Sequence, residues 1–344
     1  MQPKANFLDR VIVTGGSGFI GRNAIQALID SGYDVTAWSR SSKTAQFWQQ
    51  RGVHVETGAL AELGSQKYAK DRISAIIHLA GIVAPNSRDE TFAVNVGTTG
   101  EIVAGLSRWQ TPPRFVFVSS LAASGPCVDG VPRKEVDTCQ PRSIYGQSKA
   151  AAESLLATFA DRVPISIVRP PGVFGPWDRN LLTLFQSVRW RLNLVGISKQ
   201  FRYSFVHAED LAAGLITVLK SGKTLLSPAD KNAQGIYFLA DPQSVTFVEL
   251  ANLIADSLAT RPPFHLTIPA PICHAVAAVS QFYGQLRKQP TYLNRDKMRE
   301  AVAGSWVCDP SRAAEELGFT VAKTLANRII DTADWYRQQN WIAK

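Results

Sequence analysis

The chain has 344 residues, of which 45% are hydrophobic and 19% charged, and it carries a formal net charge of +9. A chain of this size can bury a sizeable core and reads as globular with about two domains, which excludes a disordered or low-complexity protein. The basic balance suits anionic partners: Arg189, Arg191, Lys199 and Arg202 crowd one stretch, and Arg287, Lys288, Arg295, Lys297 and Arg299 crowd another. No nucleic-acid motif accompanies the charge, so a solvated basic surface is the plainer reading and no nucleic-acid partner is expected.

Met1 to Arg10 shows no charged segment, apolar segment and cleavage site in series, so a cytoplasmic protein is expected. Leu266 to Ser280 is apolar but broken by Pro269, Pro271 and His274, and it is shorter than the roughly 20 residues that span a bilayer. No transmembrane segment is expected. Cys127, Cys139, Cys273 and Cys308 lie far apart, and His54, His78, His207, His265 and His274 form no ligand pair, so no metal is expected either.

The first strand is Val11-Ile12-Val13, and Thr14-Gly15-Gly16-Ser17-Gly18-Phe19-Ile20-Gly21 follows it directly. In such a turn Gly15 permits the tight bend, Gly18 lets the backbone approach a pyrophosphate and Gly21 allows close helix packing. Ile20, Ala24, Ala27 and Leu28 then recur at helical spacing up to a stop at Gly32, so a helix N-terminus is offered to the anion. The second strand, Val35 to Trp38, leads into Ser39, Arg40, Ser41, Ser42 and Lys43, where an Asp or Glu would hold the ribose hydroxyls of NAD. A carboxylate there would repel a ribose phosphate, whereas a guanidinium pairs with it, so NADP(H) is expected, with NAD(H) as the alternative. The plain alternative for Arg40 is a solvated residue after a strand.

Further strands follow at Ala75-Ile76-Ile77, Phe115 to Val118 and Ile165 to Val168, alternating with helix-like segments. That alternation predicts an α/β fold with a doubly wound parallel sheet. Ser119 and Ser120 end the central strand, where ligands of such folds bind. Tyr145 and Lys149 stand four apart on a predicted helix and so share a face. Bringing a Tyr from near 10 to about 7 takes roughly 4 kcal/mol of preferential phenolate stabilisation, and a nearby Lys cation is the right kind of perturber. Tyr145 is therefore the candidate general acid and base. Alone, the pair is more often an exposed couple, and the serines are more often turn residues.

After Pro176 the alternation weakens. Tyr203-Ser204-Phe205-Val206 reads as a strand feeding a helix, and Gly235 to Leu239 reads as another strand. The expected organisation is a dinucleotide-binding domain over 1–176, with 203–220 and 235–241 returning to it. A smaller interleaved substrate lobe is expected mainly from 177–202 and 242–344. Ile272, Val276, Val279, Phe282 and Tyr283 have near-helical spacing. They suit the wall of a lipid-like pocket, a helix in peripheral contact with a membrane, or ordinary core packing.

Together with Ile77-His78-Leu79-Ala80-Gly81, Val118-Ser119-Ser120 and Arg169-Pro170-Pro171-Gly172-Val173-Phe174-Gly175-Pro176, these motifs resemble the extended short-chain dehydrogenase/reductase superfamily. The resemblance runs over most of the chain. Measured back from Gly125, it implies that Ser120 is the catalytic hydroxyl beside Tyr145 and Lys149. It further implies that Pro170, Pro171, Gly172 and Val173 cradle a nicotinamide and that Ala80 and Gly81 pass under its ribose. Gly58-Ala59-Leu60 replaces the usual Gly-Asp-Leu, leaving Leu60 as the cofactor-binding position of that turn. Asn95-Val96-Gly97-Thr98 reads as a shortened Asn-Val-x-Gly-Thr. A homodimer through a helix pair is the habit of the family.

Gly235 to Asp241, Asp296-Lys297, Ser305 to Asp309, Leu317-Gly318-Phe319 and Thr332 to Tyr336 resemble the hydroxysteroid dehydrogenase and dihydroflavonol reductase-like branch. That branch implies transfer of hydride between NADP(H) and a ketone or secondary alcohol on a hydrophobic substrate that is sterol-like, terpenoid or β-keto acyl. One alternative is a nucleotide-sugar epimerase or dehydratase with tightly held NAD. Arg202, placed where epimerases meet a diphosphate, keeps it open, unless Arg202 simply pairs with an acidic side chain. The other alternative is a non-catalytic NADPH-binding sensor or assembly protein, against which an intact Ser120, Tyr145 and Lys149 argues.

Overall fold

A computed structural model of the chain describes residues 9–39, 42–69, 72–83, 87–196, 198–286 and 295–342. Its first half alternates as expected: β1 (Arg10–Thr14), α1 (Phe19–Asp30), β2 (Asp34–Ser39), α2 (Ser42–Gln49), β3 (His54–Thr57) and β4 (Ile73–His78). Next come α3 (Arg88–Phe92), a π-helical turn over Ala93–Thr98, α4 (Thr99–Leu106), β5 (Arg114–Val118), α5 (Leu121–Ser124), α6 (Ile144–Ala157) and β6 (Ile165–Val168). The second half contains β7 (Gly172–Phe174), α7 (Asn180–Arg189), β8 (Leu192–Gly196), β9 (Arg202–Tyr203), β10 (Phe205–His207), α8 (Ala208–Ser221) and β11 (Ile236–Tyr237). It closes with β12 (Val245–Thr246), α9 (Phe247–Ser257), β13 (Phe264–Ile268), α10 (Ala270–Leu286), α11 (Arg295–Val302), α12 (Ser311–Leu317) and α13 (Leu325–Gln338).

Seven parallel strands form one sheet in the order β11-β6-β5-β4-β1-β2-β3. Successive side chains on a strand point to opposite faces. Val11 and Val13 therefore join Ala24, Leu28, Leu211 and Leu215 beneath α1 and α8. Ile12 joins Ile76, Phe117, Ile102 and Leu156 beneath α4 and α6. Burial on both faces explains why these strands read as nearly continuous apolar runs. A third core, including Phe185, Leu250, Ile254, Ile329 and Tyr336, packs α7, α9 and α13 together. The buried Arg328 guanidinium grips Asp210, with 2.8 Å from Nε to Oδ2, and so fastens α13 to α8.

The expected strand from Tyr203 to Val206 is two short ones. β9 pairs antiparallel with β12, while β10 pairs in parallel with β7. The break falls at Ser204, whose amide donates to Trp306 O and whose hydroxyl accepts from the amide of Cys308, so its hydrogen bonds run to a third segment. Gly172 likewise belongs to a paired strand, not to an isolated turn.

Strand order reverses between β1 and β4, which opens a crevice at the carboxyl ends of the strands. The chain leaves β1 there through Gly15, at φ +71°, where a Cβ would stand 2.8 Å from the backbone of Leu79 and Ala80. A Cβ on Gly21 would come within 2.3 Å of Gly15 O, so helix and turn touch through backbone alone. Gly21→Ala is accordingly expected to cost about 1–3 kcal/mol of unfolding free energy in urea. A variant as stable as the parent would show that the turn can yield.

Candidate active site

The crevice begins with α1. Gly18 caps the helix without a side chain, and the ladder starts only with Arg22 N to Gly18 O at 3.0 Å. The amides of Phe19, Ile20 and Gly21 are thus left over by the helix and face its positive end. A Cβ on Gly18 would meet nothing closer than Gly15 O at 3.4 Å, so the approach to these amides is open, and the cradle fits a pyrophosphate. Ser17 is exposed at the tip of the turn, and its carbonyl accepts from Arg22 Nε at 3.2 Å. The Arg22 guanidinium lies between the rings of Phe47 and Trp177, 4.2 and 4.3 Å from their centroids. Sequence reasoning gave Arg22 no part in the site, because its two aromatic partners are remote in the chain. Ser39 is buried at the end of β2, and Leu60 is buried at the start of a 3₁₀ turn, Leu60–Gly64. Arg40 lies outside the described residues.

The exit of β4 is fixed by a buried relay. Ala80 N donates to Thr14 Oγ1 at 3.2 Å, Thr14 Oγ1 meets His78 Nδ1 at 2.8 Å, and His78 Nε2 meets Thr99 Oγ1 at 3.1 Å. Burial, aided by the Lys149 charge, pushes the His78 imidazole down to about 3, so the relay is neutral. Thr99 stands four residues after Asn95, the spacing of Asn-Val-x-Gly-Thr. The motif is therefore not shortened; Thr98 takes the place of its glycine. Asn95 also does more than cap a helix. Its Oδ1 accepts from Ile82 N at 2.8 Å, and its Nδ2 donates to Ile82 O at 3.0 Å and to Ser148 Oγ at 2.9 Å. The segment with Ala80 and Gly81 is thereby tied to α6.

Lys149 is buried, and its Nζ donates to Val118 O at 2.9 Å and sits 4.6 Å over the Phe117 ring. Burial pushes its ammonium down to about 8, with the Glu153 carboxylate pulling the other way. A Cβ on Gly81 would lie 3.5 Å from Nζ, which places the ends of β4 and β5 around this cation. α6 reaches α5 at Gly146, where a Cβ would collide with Ala122 O at 2.3 Å. Ser120 caps α5, its Oγ accepting from Ala122 N at 3.1 Å. Capping consumes a lone pair and leaves the hydroxyl proton available. Ser119 is committed elsewhere: its hydroxyl donates to Glu153, which pairs at 2.6 Å with the buried Arg169. Leu121 N donates to Pro170 O at 2.9 Å, so the turn with Pro170, Gly172 and Val173 adjoins Ser120.

The helix carrying Tyr145 is anchored from α11. Asp296 accepts from Ile144 N at 2.7 Å and from Tyr145 N at 3.3 Å, while Ser143 caps Gly146 N at 2.9 Å and donates to Glu300. A carboxylate at a helix N-terminus satisfies orphan amides and suits the helix dipole. Lys297, paired with Glu300 at 2.8 Å, lies 5.2 Å over the Tyr145 ring. The sequence contained Asp296-Lys297 as a motif but no sign of what it touches. Arg202, by contrast, takes the plainer of its two readings, donating to Ser244 at 3.1 Å and pairing with Glu249 at 3.4 Å. Among the described residues no cluster could hold a metal ion, and no helix is long and apolar enough to cross a membrane.

A family model, that of the NAD dependent epimerase/dehydratase family, matches residues 11–233. A ceramide reductase of Caulobacter vibrioides is 28% identical over 340 residues, covering 97% of this chain and 96% of that protein. A 3β-hydroxysteroid dehydrogenase/Δ5→4-isomerase of Mycobacterium tuberculosis is 28% identical over 279 residues, covering 76% of this chain and 73% of that protein. Among solved structures, a UDP-glucose 4-epimerase of Thermotoga maritima superposes with a TM-score of 0.75 at 18% identity, over 96% of this chain and 99% of that one. That likeness is one of fold.

The lowered Lys149 value gives a pH test. Between pH 8 and 10.5 the unfolded chain still binds the proton that the folded chain has shed, so folded stability gains from this group as pH rises and loses as pH falls through about 8. In urea titrations, wild type should gain stability relative to Lys149→Met across that window. A difference independent of pH would remove desolvation from the account.

Proposed function

The chain belongs to the NAD dependent epimerase/dehydratase family, whose members are NAD(P)-dependent enzymes acting on alcohol and ketone groups, and from that premise we propose that it reduces a ketone on a lipid-like substrate with NADPH. The observation that carries this reading is the buried Lys149 ammonium held at the end of β5, on the helix that also bears Tyr145 and that packs through Gly146 on the helix capped by Ser120, at the strand ends that also carry an open helix N-terminus. The ceramide reductase match over 97% of the chain supports the acyl end of the substrate class. Arg40 favours NADPH, on the electrostatic ground that a guanidinium pairs with a ribose phosphate. The cytoplasm, where NADPH is held, is the compartment this reading implies. The nucleotide-sugar alternative loses the argument drawn from Arg202, which is engaged by Ser244 and Glu249.

Phe19, Ile20 and Gly21 amides would hold the pyrophosphate, Ala80 and Gly81 would pass beneath the ribose, and Pro170, Gly172 and Val173 would bear on the nicotinamide. When bound, NADPH would be the source of the hydride for the carbonyl carbon. Ser120 would donate a hydrogen bond from its hydroxyl to the carbonyl oxygen, keeping its proton, and so fix the position of that oxygen. Tyr145 delivers a proton to that oxygen as negative charge develops on it. Lys149 spends one of its three N–H donors on Val118 O, which leaves others for ribose hydroxyls, and its charge stabilises the Tyr145 phenolate. Residues 177–202 and 242–344 would supply most of the substrate lobe.

Tyr145→Phe should abolish turnover of long-chain ketones and leave NADPH affinity within a few-fold, since it removes the proton donor and little else. Unchanged turnover would overturn the mechanism. Fluorescence titration should show tighter binding of NADPH than of NADH, with Arg40→Ala weakening NADPH much more than NADH; equal losses would refute the cofactor assignment.

A further inference from the structure

Large apolar side chains are left in water on adjoining elements of the second half. β8 and β13 pair in parallel, with Leu192 beside Phe264 and Leu194 beside Leu266. Alternation turns Asn193 and Val195 inward and leaves Leu194, Phe264 and Leu266 at 50%, 67% and 57% exposure. A solvated sheet face is normally polar, and this one is not. Trp190, just ahead of β8, is 85% exposed. After Pro269 the chain enters α10, which buries Cys273 and Ala277 against Met298 and holds Ile272, Val276 and Val279 outward at 50–56% exposure. Ordinary core packing therefore does not account for that stripe.

The chain segments that build this surface carry charge of one sign, while the carboxylates Asp296 and Glu300 lie on the neighbouring α11 and Glu249 and Asp256 on α9. Residues 179–208 and 257–295 contain no Asp or Glu, although the chain has 28 of them. Arg189 and Arg191 flank Trp190, Lys199 follows β8 and Arg261 precedes β13. The Arg191 guanidinium lies 4.9 Å over the Phe264 ring. A second copy of the chain docked here would set these cations against one another, whereas anionic headgroups neutralise them. Apolar side chains that reach an acyl layer, an exposed Trp at headgroup depth and a basic rim are the three requirements of an interfacial surface.

We infer that the β8–β13 face and the outer stripe of α10 dock this protein on an anionic lipid bilayer. The inference stands on the surface and not on which ketone is reduced, so NADPH binding is an independent readout of the fold and of the cofactor site. The full chain should sediment with vesicles of phosphatidylglycerol and phosphatidylcholine in equal parts, remain in solution with phosphatidylcholine alone, and be released as salt screens the charges. The double variant Leu194→Glu, Phe264→Glu should lose at least tenfold in vesicle affinity while titrating NADPH like the parent. Should that variant fail to fold, the exposed Arg189→Gln and Arg261→Gln each test the same surface, with a loss of about fivefold at low salt. A wild-type chain that ignores anionic vesicles would overturn the inference, as would arginine variants of undiminished affinity. So would a double variant that changes only from dimer to monomer in sedimentation velocity, since that would assign the face to a second copy.

Discussion

The site is organised around one expensive act, the burial of the Lys149 ammonium at the end of β5. Removing such a cation from water costs several kcal/mol even after relaxation. It persists because a carbonyl, an aromatic face and a carboxylate are arranged for it: Val118 O, the Phe117 ring and Glu153. That arrangement requires α6 to lie against α5 through Gly146 and the β4 exit to pass Nζ at Gly81, where a Cβ would touch Nζ at 3.5 Å and crowd Asn95 Oδ1 at 3.0 Å. The parallel sheet makes this geometry available, since it brings the carboxyl ends of β1, β4, β5 and β6 to one edge.

The two neighbouring serines show how a buried network divides labour. Ser119 belongs to the interior: its hydroxyl serves Glu153, and the Glu153–Arg169 pair extends to Ser124 at 3.1 Å and Cys139 at 3.3 Å. Such a network tolerates no missing member, because each loss strands a charge away from water. Ser120 is half-buried and, among the described residues, only accepts, from Ala122 N at the start of α5. The difference between the two is one step along an extended strand, which reverses the direction of the side chain.

Much of this was legible in the chain because it is local. Apolar runs gave the strands of the sheet, the glycine spacing gave the turn, and the four-residue step gave the Tyr145–Lys149 face. What the sequence withheld depends on contacts between distant segments. Nothing near Tyr203 reveals that Ser204 is claimed by Trp306 and Cys308 and breaks the strand. The Asn95 motif looked short because it was read by its glycine; burial of Thr99 against His78 identifies the matching threonine. Periodicity in α10 established that the helix is two-sided, but only packing of Cys273 and Ala277 on Met298 decides which side is turned away from the protein.

The anchoring of α6 by α11 also bears on how the molecule comes into being. Tyr145 and the carboxylate that receives its amide are 151 residues apart. On a ribosome working at about 5–20 residues per second, the helix emerges roughly 8 to 30 seconds before Asp296 exists. Throughout that interval the nascent chain holds the glycine turn, the central strands and Lys149, but the helix that carries Tyr145 begins with unclaimed amides. Completion of this end of α6 therefore waits on the arrival of Asp296, 151 residues after Tyr145.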